Sequence, residues 1–194
     1  MPCISCARPL GPICERCRRR LRSAPDRVLG DVVVAAAWKH SGPARSLVHR
    51  LKYDGVVAAA AAAAAEVQLP AGAAVLVPVP RVMFRVVAHG LDSADAFASA
   101  LGRAAGLPVV RCLSAPLWSP RRAGRRRRAA PPRFRLLGDR PRGAVVVDDV
   151  VTSGATIEAA AALVGARWAV AMTLAPGTKS RGTRDRTHTM GSRD

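Results

Sequence analysis

The chain has 194 residues, 49% of them hydrophobic, and a formal charge of +18 from 31 basic and 13 acidic side chains. That length supports one well-buried domain with a small appendage and excludes two full domains. Asn is absent and the only lysines are Lys39, Lys52 and Lys179, a pattern of high-GC coding bias that explains the arginines but not the excess of positive charge, so a polyanionic partner stays in play.

MPCISCARPL lacks the apolar stretch of a signal peptide. The alanine-rich run Val56–Ala65 is too short to span a bilayer and is closed by Glu66, Gln68 and Pro70. The expectation is a soluble cytoplasmic protein without membrane association, whose cysteines stay reduced and whose regular cysteine spacing points to metal. Cys3, Cys6, Cys14 and Cys17 form two C-x-x-C pairs, which predict a four-thiolate structural zinc finger over residues 1–25. The competing reading is a redox role for one pair. Cys112, on an apolar run, reads as a small buried hydrophobe.

Beyond the finger, residues 31–175 read as one α/β domain. DVVVAAAW (31–38) predicts a strand and ARSLVHRLKYDG (44–55) an amphipathic helix stopped by Gly55. A helix over 56–67, a buried strand over 74–80, a helix from Asp92 to about Ala105 and a strand over 107–113 follow. Residues 114–142 carry ten arginines between Arg121 and Arg142 with Pro and Gly interleaved, and predict an exposed flexible loop or loose hairpin. A strand over 143–149, a helix over 155–165 and a strand over 168–174 complete the domain, and 176–194 reads as a disordered tail. Apolar strands alternating with helices argue for a parallel sheet covered on both faces.

The stretch VVVDDVVTSGAT (145–156) carries the chemistry. Ligands of open parallel sheets bind beyond the carboxyl ends of the strands. There Asp148 and Asp149 precede Val150, Val151 and the turn Thr152, Ser153, Gly154, Ala155 and Thr156, which opens a helix. Backbone N–H groups and the helix dipole make such a turn a phosphate cradle. The carboxylates would repel phosphate; they suit ribose hydroxyls, or Mg²⁺ held jointly with a ligand. At the end of an earlier strand, Val79, Pro80 and Arg81 make a stiff turn carrying one cation, with Arg85 four residues on. Lys52 and Tyr53 precede the helix-stopping Gly55.

Over these twelve residues the chain resembles the phosphoribosyl-pyrophosphate (PRPP) motif of the type I phosphoribosyltransferases. With the four-cysteine finger, LKYDG and the VPVP strand end, it resembles the ComF family of competence-related, phosphoribosyltransferase-like proteins from Cys3 to about Ala175. The resemblance implies a type I phosphoribosyltransferase-like sheet, Asp148 and Asp149 on ribose hydroxyls, Thr152–Thr156 around the 5′-phosphate, and Val79–Arg81 as the pyrophosphate loop. It also implies Mg²⁺ with PRPP and phosphoribosyl transfer to a nitrogen acceptor. His89, Gly90, Leu91, Asp92 and Ser93 stand where the family has Arg-Gly-Phe-Asn-Gln, and Arg121–Arg128 where it has a glutamine-bearing loop. The alternative is a non-catalytic handler of single-stranded DNA that grips with Arg125, Arg126, Arg127 and Arg128. Two structural expectations follow. The sheet domain keeps a core of its own without the finger, and Asp149→Asn at an exposed strand end leaves the fold intact.

Overall fold

Valine-rich runs that are apolar on both faces form the sheet, and alanine- and leucine-rich helices cover it. The computed structural model describes residues 2–9, 12–81, 91–116 and 133–176. Arg85, His89, Gly90, the Arg121–Arg128 run and the chain beyond Pro176 lie outside the described residues.

In chain order the elements are α1 (Glu15–Arg18), β1 (Arg27–Leu29), β2 (Val32–Lys39), α2 (Gly42–Asp54), α3 (Ala58–Ala64), β3 (Val75–Pro78), α4 (Ser93–Ala105), β4 (Leu113–Ser114), β5 (Arg135–Leu136), β6 (Ala144–Val151), α5 (Ala155–Val164) and β7 (Trp168–Leu174). The main sheet has the order β1-β2-β7-β6-β3. β2, β7, β6 and β3 are parallel neighbours, while β1 joins β2 antiparallel at the edge. The central sheet is thus mostly parallel and flanked by helices, as the apolar strands predict.

Several boundaries differ from the sequence expectations. The 107–113 segment contributes only a bridge between Val109 and Leu76; Leu113–Ser114 then pairs antiparallel with Arg135–Leu136, so the two ends of the arginine-rich segment close on each other. β6 runs on to Val151, so Asp148 and Asp149 lie inside the strand. β1 was not expected at all.

The two faces of the sheet have separate cores. Phe97 and Leu101 of α4, with Leu47 and Leu51 of α2, pack on Leu76, Val145, Val147 and Met172. Ile157, Ala160 and Val164 of α5 pack on Val34, Val77, Val146 and Ala171 on the other side. The next described helices after the neighbouring strands β3 and β6 therefore cover opposite faces. Open α/β sheets bind ligands in the crevice at such a switch point, which here falls between the carboxyl ends of β3 and β6.

The four-cysteine segment is not set apart from this core. Ile4, between Cys3 and Cys6, is buried in the same cluster as Trp38, Leu47 and the α3 alanines, with Ile13 and Leu21 packed against it. The Arg22 carbonyl accepts a hydrogen bond from the Lys39 N–H of β2 at 2.8 Å. The finger thus supplies part of the wall over α2 and α3, while the buried core on the other face starts at Val32. Ile4→Ala is expected to lower stability by about 2–5 kcal/mol, the usual cost of emptying a buried aliphatic site. Denaturant unfolding measures it, and an unchanged midpoint would show that the finger and sheet fold independently.

Candidate functional site

Four elements deliver charged groups to the crevice. β6 supplies Asp148 and Asp149, the last turn of α2 supplies Lys52, the end of β3 supplies Arg81, and the start of α4 supplies Asp92 and Ser93. Asp149 is 5% exposed. Its Oδ1 accepts from Lys52 Nζ at 2.9 Å, and its Oδ2 accepts from the Arg81 guanidinium at 3.3 Å. The buried Ser93 hydroxyl donates to the same Oδ2. A buried carboxylate needs such partners, since an unpaired charge at this depth is costly. Both cations keep some exposure, 20% for Lys52 and 18% for Arg81.

Asp92 fixes the frame around them. Its Oδ1 accepts from the Ala94 and Asp95 N–H groups at 3.0 and 3.3 Å, capping α4. Its Oδ2 accepts from the Arg81 N–H at 3.0 Å, which ties the end of β3 to the start of α4. Asp92 and Ser93 thus both have defined structural partners.

Asp148 behaves differently from its neighbour. It is partly buried, and its Oδ1 accepts from the Asp149 N–H at 2.7 Å. Burial first, and then the charge of Asp149, push its carboxyl up to about 8. The two adjacent carboxyls therefore differ in setting: Asp149 lies between two cations, while burial and the neighbouring charge favour the protonated form of Asp148.

The turn after β6 supplies a different chemistry. Gly154, at φ 90°, is the N-cap of α5, and among the described residues no side chain caps that helix. The first N–H groups of α5, at Ala155–Ile157, therefore face outward with the positive end of the helix dipole, the arrangement that takes an anion. Thr152 and Ser153 are exposed, and Ala155 and Thr156 partly so.

Of the remaining candidates, Val79 is buried and extends the β3–β6 ladder, its N–H donating to the Val147 carbonyl at 2.9 Å. Pro80 leads directly into Arg81. Tyr53 is half-exposed with its ring against His49, centroids 4.5 Å apart. One neighbour escaped the sequence reading. His40, just past β2, shares a 2.8 Å hydrogen bond through Nδ1 with the Thr173 hydroxyl of β7. Burial, then the charges of Lys52 and Arg45, hold its imidazole below the ordinary value. Its place at the carboxyl end of a parallel strand was the available signal.

The second constellation is the cysteine cluster. The sulfurs of Cys3, Cys6, Cys14 and Cys17 lie within 4.8 Å of one another, and those of Cys6 and Cys14 are 3.7 Å apart. A tetrahedral Zn–S bond of about 2.3 Å places neighbouring sulfurs about 3.8 Å apart, so the cluster fits a four-thiolate metal. The Cys14 N–H donates to Cys3 Sγ at 3.3 Å. Burial pushes the Cys3 thiol up, but backbone donors from Cys14, Cys6 and Ser5 outweigh it and bring Cys3 down to about 6. Among the described residues no helix is long and apolar enough to cross a membrane.

Comparison of the sequence with known protein families and with curated proteins found no match.

The burial of Asp149 overturns the expectation that its replacement is structurally silent. Asp149→Asn leaves Lys52 and Arg81 facing each other without a counter-charge. With the cations partly solvated, a loss of about 2 kcal/mol is expected, below the value for a fully buried pair. Chemical denaturation of the variant would show it. The raised carboxyl of Asp148 has the opposite consequence. The native state binds this proton more tightly than the unfolded chain, so the group's contribution to stability falls as pH rises from its ordinary 3.8 towards 8. Asp148→Asn should flatten that part of the stability–pH curve and raise the melting temperature at pH 8; an unaltered slope would contradict it.

Proposed function

We propose that the protein is a ComF-like, type I phosphoribosyltransferase-like protein that binds PRPP with Mg²⁺ and transfers its phosphoribosyl group to a nitrogen acceptor. One observation carries the proposal. An anion-binding helix start, two carboxylates and two cations meet at the switch point of a mostly parallel sheet, matching the three parts of PRPP. The 5′-phosphate is assigned to the N–H groups and hydroxyls of Thr152–Thr156. The vicinal ribose hydroxyls are assigned to Asp148 and Asp149, and the diphosphate to Lys52 and Arg81.

In the resting protein Asp149 already holds both cations. Binding therefore takes the form of an exchange. The diphosphate draws Lys52 and Arg81 outward, and Asp149 turns to the ribose hydroxyls in their place. The bond from C1′ to the diphosphate breaks with its electron pair on the leaving oxygen. A bond from the acceptor nitrogen to C1′ forms, and the nitrogen's proton passes to solvent. The protein contributes positioning and charge stabilisation. Asp148, on giving up its proton, and Asp149 are the groups that would hold Mg²⁺, and the ion would supply further charge neutralisation. Cys3, Cys6, Cys14 and Cys17 are assigned to a structural zinc, since a closed four-thiolate shell leaves no position for a substrate.

A second reading draws on the finger's surface. Arg8, Arg16, Arg18, Arg20 and Arg22 are exposed there, and Arg19 pairs with Glu15 at 2.8 Å. With Arg125–Arg128 they would grip single-stranded DNA through its phosphates.

Calorimetry separates the two readings. The first expects saturable heat from PRPP that strengthens with Mg²⁺, and no heat at millimolar PRPP would refute it. The second expects DNA affinity that falls steeply with salt, with a shallower slope after Arg125–Arg128 are neutralised. Elemental analysis of the reduced protein should find about one zinc per chain.

A further inference from the structure

We infer that the edge strand β1 is a brace for the turn at Thr152–Thr156, and that Arg27 is the positioning residue that aims the turn's N–H groups at a phosphate. The inference rests on the proposed function for the identity of the ligand, but its geometry is independent of it. Arg27 donates through one guanidinium nitrogen to the Thr152 carbonyl at 3.1 Å and through the other to the Ala175 carbonyl at 2.7 Å. These carbonyls belong to the chain just as it leaves β6 and β7. The two chain ends are themselves joined, since the Ala175 N–H donates to the Val151 carbonyl at 2.8 Å. A rigid fork bonded to both carbonyls fixes the turn relative to the sheet.

The consequence for the ligand side follows from peptide geometry. In a trans peptide the carbonyl and the following N–H point in opposite directions. Holding the Thr152 carbonyl toward Arg27 therefore points the Ser153 N–H away from β1. Leu29 backs the next residue from the same side. Gly154 adopts φ 90°, and a Cβ there would overlap the Leu29 side chain. The strand thus covers the back of the turn through Arg27 and Leu29, and leaves its front to a ligand. β1 itself is held by its antiparallel pairing with β2, Arg27 opposite Val34 and Leu29 opposite Val32. Among the described residues Arg27 donates to backbone carbonyls alone, and the proposed function gives it no other role.

Three full-length variants test this: Arg27→Ala, Arg27→Lys and Leu29→Ala. Ribose 5-phosphate and magnesium pyrophosphate serve as separate probes, because the brace touches only the turn assigned to the sugar phosphate. Arg27→Ala is expected to weaken ribose 5-phosphate about tenfold or more, the scale of one lost charge-assisted contact, and to leave pyrophosphate within about twofold. Leu29→Ala should act in the same direction. Arg27→Lys keeps the charge but cannot span both carbonyls, so it should recover only part of the affinity. Equal weakening of both probes would mean a general loss of structure and overturn the inference. Full recovery with Lys would reduce the effect to charge and also overturn it. Hydrogen exchange of the Ser153–Ile157 amides, measured without ligand, decides the matter even if the wild type fails to bind ribose 5-phosphate. Faster exchange confined to that turn in Arg27→Ala supports the brace, and unchanged exchange refutes it. Failure of the wild type to bind would count against the proposed function alone.

Discussion

The neutralisation of Asp149 is the constraint on which the rest of the site depends. A carboxylate buried this deeply survives only with cations and donors around it, and it draws them from α2, the end of β3 and the start of α4. Once Lys52 and Arg81 are committed there, their positions at the crevice are set, and Asp92 fixes the backbone of Arg81 from the other side. The neighbouring Asp148 accepts a backbone N–H and, among the described residues, forms no ion pair, so its carboxyl is pushed up instead. One strand thus presents two adjacent carboxyls in opposite electrostatic settings, through environment alone.

The opposite chemistry sits a few residues further along the same chain. Past Val151 the backbone turns at Gly154 and presents amide donors with no capping side chain. The small residues of TSGAT matter less for what they contribute than for what they leave open. The Leu29 side chain fills the space behind Gly154, so a larger residue there would have to displace it and would be strained at φ 90° besides. The peripheral pieces of the fold serve this arrangement. The edge hairpin backs the turn, and the cysteine segment, through Ile4, completes the core beneath α2, whose last turn carries Lys52.

Much of this was legible in the sequence. β7 runs over the expected residues 168–174, and α2 ends at Gly55 in the left-handed conformation that its position predicts. DD-x-x-TSGAT was readable as a strand passing through a small-residue turn into a helix, and the paired C-x-x-C turns as a cluster able to hold a metal, because each is a local pattern. What was not legible was long-range. Nothing in RLKYDG says that Lys52 reaches a strand nearly a hundred positions away, or that Asp149 is buried rather than exposed at a strand end. Nor does the sequence say that the Ser93 hydroxyl donates to Asp149. β1 was missed because three residues are too few for a period. The Gly30–Asp31 pair between two valine-rich runs was the one hint of the hairpin, with Gly30 at φ 55° in the tight turn.

The central claim is that the two cations on Asp149 are exchangeable, held in reserve for an anionic ligand rather than locked into the fold. A crystal structure of the full chain with PRPP and Mg²⁺ tests it most directly. The account predicts Lys52 Nζ and the Arg81 guanidinium on the diphosphate, their contacts to Asp149 broken, with the 5′-phosphate on the amides of the Thr152–Thr156 turn. A ligand bound elsewhere, or in the crevice with the 2.9 Å Lys52–Asp149 contact still in place, would contradict it.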